Sequence, residues 1–134
     1  MNDLFLLGRM LFGGFFTYYG VNHFLNLATM TQYAASKGVP FPELAVLFSG
    51  ALLVVGGLSV LFGAWPQIGA ACLGLFLIVV TPVMHNFWDI ADPAQRMMEM
   101  GNFMKNTALL GGVMIMLGVP RPWPYSLERR RLFG

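Results

Sequence analysis

The chain is 134 residues long, and its composition excludes most classes of soluble protein. Hydrophobic residues make up 57% of it and charged residues 10%, with a mean hydropathy of +0.65. Soluble domains contain about 25% charged residues, so this composition predicts a single domain that resides in a membrane. The single cysteine excludes an internal disulfide and dithiol chemistry within one chain. We expect membrane lipid as a partner and no nucleic acid.

Four apolar stretches predict transmembrane helices at residues 4–26, 41–63, 68–88 and 93–119. At about 1.5 Å per residue, helices of this length cross a hydrocarbon core about 30 Å thick. We therefore predict an all-α integral membrane protein, a four-helix transmembrane bundle. The first stretch lacks a preceding basic segment and a small-residue cleavage site, so we expect it to be retained.

The segments that flank the spans carry helix signals and charges. Arg9 lies one to two turns into the first span and is expected to snorkel to the lipid headgroups. Residues 27–42 are more polar and predict a short interfacial helix that Gly38 ends. Asp92 followed by Pro93 predicts an N-cap and the first turn of the fourth helix.

The C-terminal residues 120–134 predict a basic interfacial tail that binds anionic lipid. Four spans place both termini on one side of the membrane, together with Arg9, Arg121 and the arginines at 129–131. The positive-inside rule then predicts a multi-pass protein of a bacterial inner membrane with both termini in the cytoplasm.

The polar side chains of the spans fall at one depth. His23 and His85 lie about one turn from the ends of the first and third spans, and the fourth helix, which runs back, brings in Lys105 at the same level. Glu43 opens the second span there. On each helix these residues recur at spacings of three and four, so they share one face. Polar groups facing lipid are costly, which predicts a polar pocket. The candidate ligand-binding residues are Tyr19, Asn22, His23, His85, Asn86, Trp88, Glu99, Lys105 and Asn106.

Three interpretations of this layer stay open. It can be a hydrogen-bond network that fixes the bundle, a site for a quinone, or a bis-histidine haem b site. A quinone suits it because His or Lys can donate to the carbonyl oxygens while the tail stays in lipid. The spacing of the histidines predicts no zinc site, and no catalytic residue is assigned.

The chain resembles the DoxX family of small four-helix membrane proteins. The resemblance rests on motifs that occur in order: Gly8-Arg9, Gly20-Val21-Asn22-His23-Phe24, His85-Asn86-Phe87-Trp88, Phe103-Met104-Lys105-Asn106 and Ala108-Leu109-Leu110-Gly111-Gly112. Some relatives resemble the membrane subunit of a thiosulfate:quinone oxidoreductase, and others resemble partners of redox enzymes. The resemblance implies that His85, Asn86, Trp88, Lys105 and Asn106 match the quinone-related positions.

Two hypotheses about function follow. The chain is either a quinone-linked membrane subunit of a redox system or a non-catalytic scaffold for a partner redox enzyme. In the first, the chain would be part of a quinone-dependent oxidoreductase. In the second, the charged start of the fourth helix, from Arg96 to Glu99, docks the partner outside the membrane. A homo-oligomer is compatible with both.

Overall fold

The computed structural model describes residues 1–129, and the arginines at 130 and 131 lie outside this range. The helices are α1 (Asn2–Leu25), α2 (Leu27–Ser36), α3 (Pro42–Phe62), α4 (Pro66–Met84) and α5 (Pro93–Leu117), with a 3-10 turn at Phe87–Asp89. Residues 1–129 contain no strand, so the predicted all-α fold is confirmed.

Three of the helices described are long and apolar enough to cross a membrane. These stretches are Asn2–Leu25, Pro42–Phe62 and Pro66–Asp89. Helix α5 has 25 residues, with a charged first half and an apolar second half. The protein is therefore an integral membrane helical bundle, as the composition predicts. Helix α2 lies between α1 and α3, where the sequence predicts a short interfacial helix.

Local sequence signals set the helix boundaries. Asp92 caps α5, since its Oδ2 accepts from the backbone N–H of Gln95 at 3.1 Å, as predicted. Proline occupies the first turn of α3, α4 and α5, where its missing N–H costs no hydrogen bond. Gly63 ends α3 with a φ of +64°, a conformation that glycine adopts without steric cost.

Small residues bring α3 into close contact with both neighbours. A Cβ added to Gly57 would lie 2.6 Å from the backbone nitrogen of Thr17 and 2.8 Å from the carbonyl oxygen of Gly13 on α1. On its other side, α3 crosses α4 where a Cβ on Gly56 would lie 2.9 Å from the carbonyl oxygen of Gly69. The core packs around these crossings, with buried Phe16, Leu53, Val60, Ala70, Leu73, Leu77, Val113 and Trp123.

The C-terminal segment folds back onto the start of α1. Trp123 is fully buried and packs edge-to-face on Phe5, with ring centroids 5.3 Å apart. Both ends of the described chain therefore lie at one end of the bundle, here called the termini end. Trp123 belongs to the buried core, so the lipid anchoring predicted for this segment does not extend to its side chain. Arg121 and Arg129 are exposed, and lipid binding by the tail stays a prediction.

Arg9 points into the protein, so the predicted snorkelling is wrong. The side chain is 3% exposed, and its guanidinium donates to the carbonyl oxygens of Pro124 (2.8 Å), Leu61 (3.1 Å) and Tyr125 (3.3 Å). It also lies 5.9 Å from the centre of the Trp123 ring. These acceptors engage both terminal nitrogens of the guanidinium inside the protein, so the side chain does not extend to the headgroups.

Candidate functional site

A cavity of about 550 Å³ lies at the other end of the bundle, here called the cavity end. All five helices contribute to its wall, which is mainly apolar. The polar or titratable residues that line it are Tyr19, His23, Tyr33, Ser49, His85, Asn102, Lys105 and Asn106. A mostly apolar pocket with a few converging polar groups is typical of small-molecule sites.

His85 enters the cavity wall where α4 stops. Pro82 lies in the last turn of α4, and His85 is the C-cap residue, its backbone N–H bonded to the carbonyl of Thr81 at 3.1 Å. Its ring Nδ1 lies 2.6 Å from Oε2 of Glu99. A carboxylate only accepts hydrogen bonds, so Nδ1 carries the hydrogen and Nε2 is the nitrogen left for a ligand.

Glu99 is buried behind His85, and its carboxylate also lies close to hydrogen-bond donors from other parts of the chain. It is 7% exposed, and Asn102 and the hydroxyl of Tyr33 are within 3.5 Å and 3.4 Å of its two oxygens. The sequence-based hypothesis that the segment Arg96 to Glu99 docks a partner is wrong for Glu99, since its carboxylate pairs with His85. Arg96 is exposed, as that hypothesis requires.

His23 is oriented in the same way from α1. Its Nδ1 lies 2.7 Å from the carbonyl oxygen of Tyr19, which can only accept, so Nδ1 donates here too. The ring meets Phe76 of α4 edge-on, with centroids 6.2 Å apart. Both histidines of the chain thus line one cavity with Nδ1 engaged and Nε2 available.

Helix α2 and its C-cap residue Lys37 lie over the cavity end, and of their polar side chains Tyr33 lines the cavity. Burial and the nearby Glu99 carboxylate raise the pKa of Tyr33 above its ordinary value. Lys37 donates to Oδ1 of Asn86 at 3.0 Å, and the amide of Asn86 donates to Asp89 at 3.1 Å. Sequence reasoning missed Tyr33 and Lys37 as site residues. Their spacing of four residues, which puts them on one face of α2, was the available signal.

The structure brings five of the nine sequence-predicted residues to the cavity wall and leaves four outside it. Those on the wall are Tyr19, His23, His85, Lys105 and Asn106, whereas Asn22, Asn86, Trp88 and Glu99 are not on it. Asn22 accepts from Asn26, and Trp88 packs against the rings of Phe87 and Phe103. Glu43 is exposed and does not line the cavity either. A role of the nine in ligand binding stays a prediction.

Within residues 1–129, no three His, Cys, Asp or Glu side chains are grouped so that they could hold a metal ion. The pair His85–Glu99 has no third such neighbour in that range.

Comparison with known proteins assigns the family. The family model described as DoxX matches residues 4–86, which is more than half of the chain. The chain belongs to the DoxX family. This DoxX protein is 29% identical over 128 residues to the inner membrane protein YphA of Escherichia coli strain K12, an alignment that covers 95% of this chain and 89% of YphA. No solved structure matches it. The matched region contains both histidines, whereas the α5 wall of the cavity lies beyond it.

Proposed function

We propose that this DoxX protein is a quinone-binding membrane subunit of a redox system. The observation that carries the proposal is that His23, His85 and Lys105, from three different helices, meet at one largely apolar cavity. The volume of about 550 Å³ falls in the range of about 300–1,000 Å³ of small-molecule pockets. A quinone combines a flat apolar ring with two hydrogen-bond acceptors, which is the complement of this wall.

His85 and Lys105 are the proposed partners of the two quinone oxygens. Among the described residues, no hydrogen bond or ion pair occupies the ammonium group of Lys105, so its protons are available to an acceptor. His85 donates through Nε2 when the ring is protonated, while Nδ1 stays 2.6 Å from the Glu99 carboxylate.

Reduction of the quinone to a quinol adds two electrons and two protons and converts both carbonyl oxygens to hydroxyls. The electrons come from a partner redox enzyme, which the proposal requires as co-reactant. His85 and His23, each with its ring protonated, give one proton apiece from Nε2 and keep the hydrogen on Nδ1. Tyr33 links Glu99 to the water-exposed side of α2, so protons can be replaced from the aqueous phase.

The orientation in the membrane belongs to the same proposal. We infer that the protein lies in the inner membrane with the termini end in the cytoplasm and the cavity near the outer face. YphA is named an inner membrane protein, and Arg121 and Arg129 at the termini end are exposed. Exposed arginines flanking spans favour the cytoplasmic side.

Quinone binding is tested on protein purified in mild detergent. Bound quinone is extracted and identified, and thermal unfolding is followed with added quinone. A ligand at 100 times its Kd stabilises the folded state by about 2.7 kcal/mol. His85→Ala and Lys105→Met should lose this stabilisation, whereas Arg96→Gln, at an exposed residue of α5 outside the cavity, should keep it. Wild-type protein with no bound quinone and no thermal shift would show that the proposal is wrong.

An optical spectrum of the same sample distinguishes the haem b interpretation from the quinone interpretation. Both histidines leave Nε2 available on one cavity, which is the nitrogen that an axial ligand of haem would use. A Soret band would replace the quinone by haem, and a featureless visible range would exclude haem from the purified protein.

Scaffolding is a second candidate function, favoured by the start of α5. Residues 93–98 are all exposed, and Met97 and Met98 present large apolar side chains there. Flexible methionine side chains suit a protein-binding surface. A redox enzyme that copurifies in stoichiometric amount, and is lost in Met97→Asp but not in Gln95→Ala, would support docking at this surface. A protein that purifies alone with bound quinone would count against it.

A further inference from the structure

The cavity of this DoxX protein reaches the outer surface of the bundle along α3 and α4. Of the lining residues that α3 and α4 contribute, four are also exposed on the outer surface of the bundle: Phe48, Leu75, Val79 and Val83. Phe48 is 62% exposed and Val79 53%. Exposed lining residues also occur on α1, α2 and α5 (Phe15, Tyr19, Tyr33 and Lys105), but the set on α3 and α4 is the largest and is entirely apolar. The four residues on α3 and α4 define what we call the lateral opening.

The packing of α3 on α4 explains why the gap lies at this level. Near the turn that joins them, Gly56 and Gly69 let the two backbones approach closely, and Ser59 fills the space beside Gly69. Beyond this crossing the facing residues are larger, Phe48 and Leu52 on α3 and Phe76 and Val79 on α4, and they line the cavity. The backbones of α3 and α4 therefore approach closely near their shared turn, and towards the cavity end larger side chains lie between them.

The composition of the lateral opening is that of a lipid-facing surface. All four of its residues are apolar, and both helices are of membrane-spanning length and hydropathy. The water-facing side of the cavity is covered instead by α2, through Met30, Tyr33 and Ala34. A molecule that fills the cavity can thus extend sideways into hydrocarbon but meets a helix in the direction of the water.

We propose that the lateral opening admits the ligand from the bilayer and holds its apolar tail, so that the site takes a ring compound with a long hydrocarbon chain. This rests on the proposed function, since the ring is the quinone held by the polar residues. The tail lies between Phe48 and Val79, and the ring lies deeper, towards His23 and His85. A water-soluble ring without a tail would lose the contacts with all four residues of the lateral opening.

Spin labels on neighbouring residues of α4 test this directly. In a Cys72→Ala background, Val79→Cys and Ile78→Cys are each labelled with a nitroxide and reconstituted into phosphatidylcholine vesicles. Ile78 is the matched control, because it is adjacent, aliphatic and 59% exposed but does not line the cavity. A benzoquinone with a long alkyl chain should lower the oxygen accessibility of the Val79 label by about half and leave the Ile78 label unchanged. The same ring without the chain should change neither.

A label at Val83 repeats the measurement one turn along the opening, and a label at Phe15 probes an exposed lining residue of α1 on another side. A change at Phe15 in place of Val79 and Val83 would overturn the inference. Dipolar broadening at Val79 without ligand would also overturn it, because a second copy would then cover the opening. If the quinone shifts the thermal unfolding but leaves the oxygen accessibility of the labels unchanged, this inference alone is overturned. If the quinone gives no thermal shift, the proposed function is overturned and this inference with it.

Discussion

Replacement of Arg9 by methionine should release the C-terminal segment from the termini end. Methionine is of similar length and apolar, so it fills much of the same space but donates no hydrogen bond. The carbonyls of Pro124, Leu61 and Tyr125 then lose the guanidinium that now lies 2.8, 3.1 and 3.3 Å from them.

The size of the effect follows from opposing contributions. A hydrogen bond to a charged group contributes about 1.5–3 kcal/mol, and only the bond to Pro124 is short. Removing one partner of a buried charged interaction costs about 3–5 kcal/mol, but methionine also avoids the desolvation of a cation. We expect Arg9→Met to favour local opening of the segment by about 3 kcal/mol. Arg9→Lys should have a smaller effect, since an ammonium group lacks the planar fork that reaches several acceptors.

Limited chymotrypsin digestion in detergent measures this opening. Tyr125 is exposed but the next residue, Ser126, is buried, so cleavage between them requires the segment to detach. When opening is fast relative to cleavage, the rate follows the open population, and about 3 kcal/mol corresponds to about 100-fold faster cleavage. Arg96→Met, at an exposed arginine, should leave the rate unchanged. Cleavage of Arg9→Met at the wild-type rate would refute the clamping role and restore a lipid-facing Arg9.

Three further predictions concern packing, ionisation and orientation. Gly57→Ala should destabilise the protein by about 1–3 kcal/mol in a detergent unfolding assay, because the added Cβ meets the backbone of α1. Gly14→Ala is the control and should not destabilise it, because no atom lies within 4 Å of a Cβ added there. Equal stability of the two variants would contradict the close crossing of α1 and α3. Glu99→Gln should lower the pKa of Tyr33, because the Glu99 carboxylate contributes to raising that pKa. Ultraviolet titration measures the pKa, and Tyr33→Phe identifies which part of the signal comes from Tyr33. An unchanged pKa would mean that Tyr33 and Glu99 do not interact. In a bacterium, a fluorescent protein fused to either terminus should be active, and alkaline phosphatase fused to either terminus should be inactive, because both termini are proposed to lie in the cytoplasm. The reverse pattern would invert the proposed orientation.

The helices could be predicted from the sequence because hydropathy and caps are local properties. Asp92 and the prolines that follow each turn specify where helices begin, and the structure agrees with them. The spacing of His23 with Tyr19 likewise places both on one face of α1, and both line the cavity.

The direction of long side chains could not be predicted in this way. Arg9 has three carbonyl acceptors, two of them more than 110 residues away in sequence, which no local pattern reveals. The same holds for Tyr33, which reaches Glu99 across 66 positions. Without knowledge of these tertiary contacts, the nearest polar environment for an arginine or a tyrosine near a span end was the membrane surface.

Helix α2, which covers the cavity end, is held in place mainly by hydrogen bonds that water can replace. Within Leu27–Ser36, Ala34 alone is buried, and the bonds from Tyr33 to Glu99 and from Lys37 to Asn86 are polar. Detaching this helix exposes little apolar surface, so its free energy of opening should be far below that of the bundle. Amide hydrogens of α2 should exchange with deuterium first, and each such excursion would briefly hydrate His85 and refill its proton from the aqueous phase.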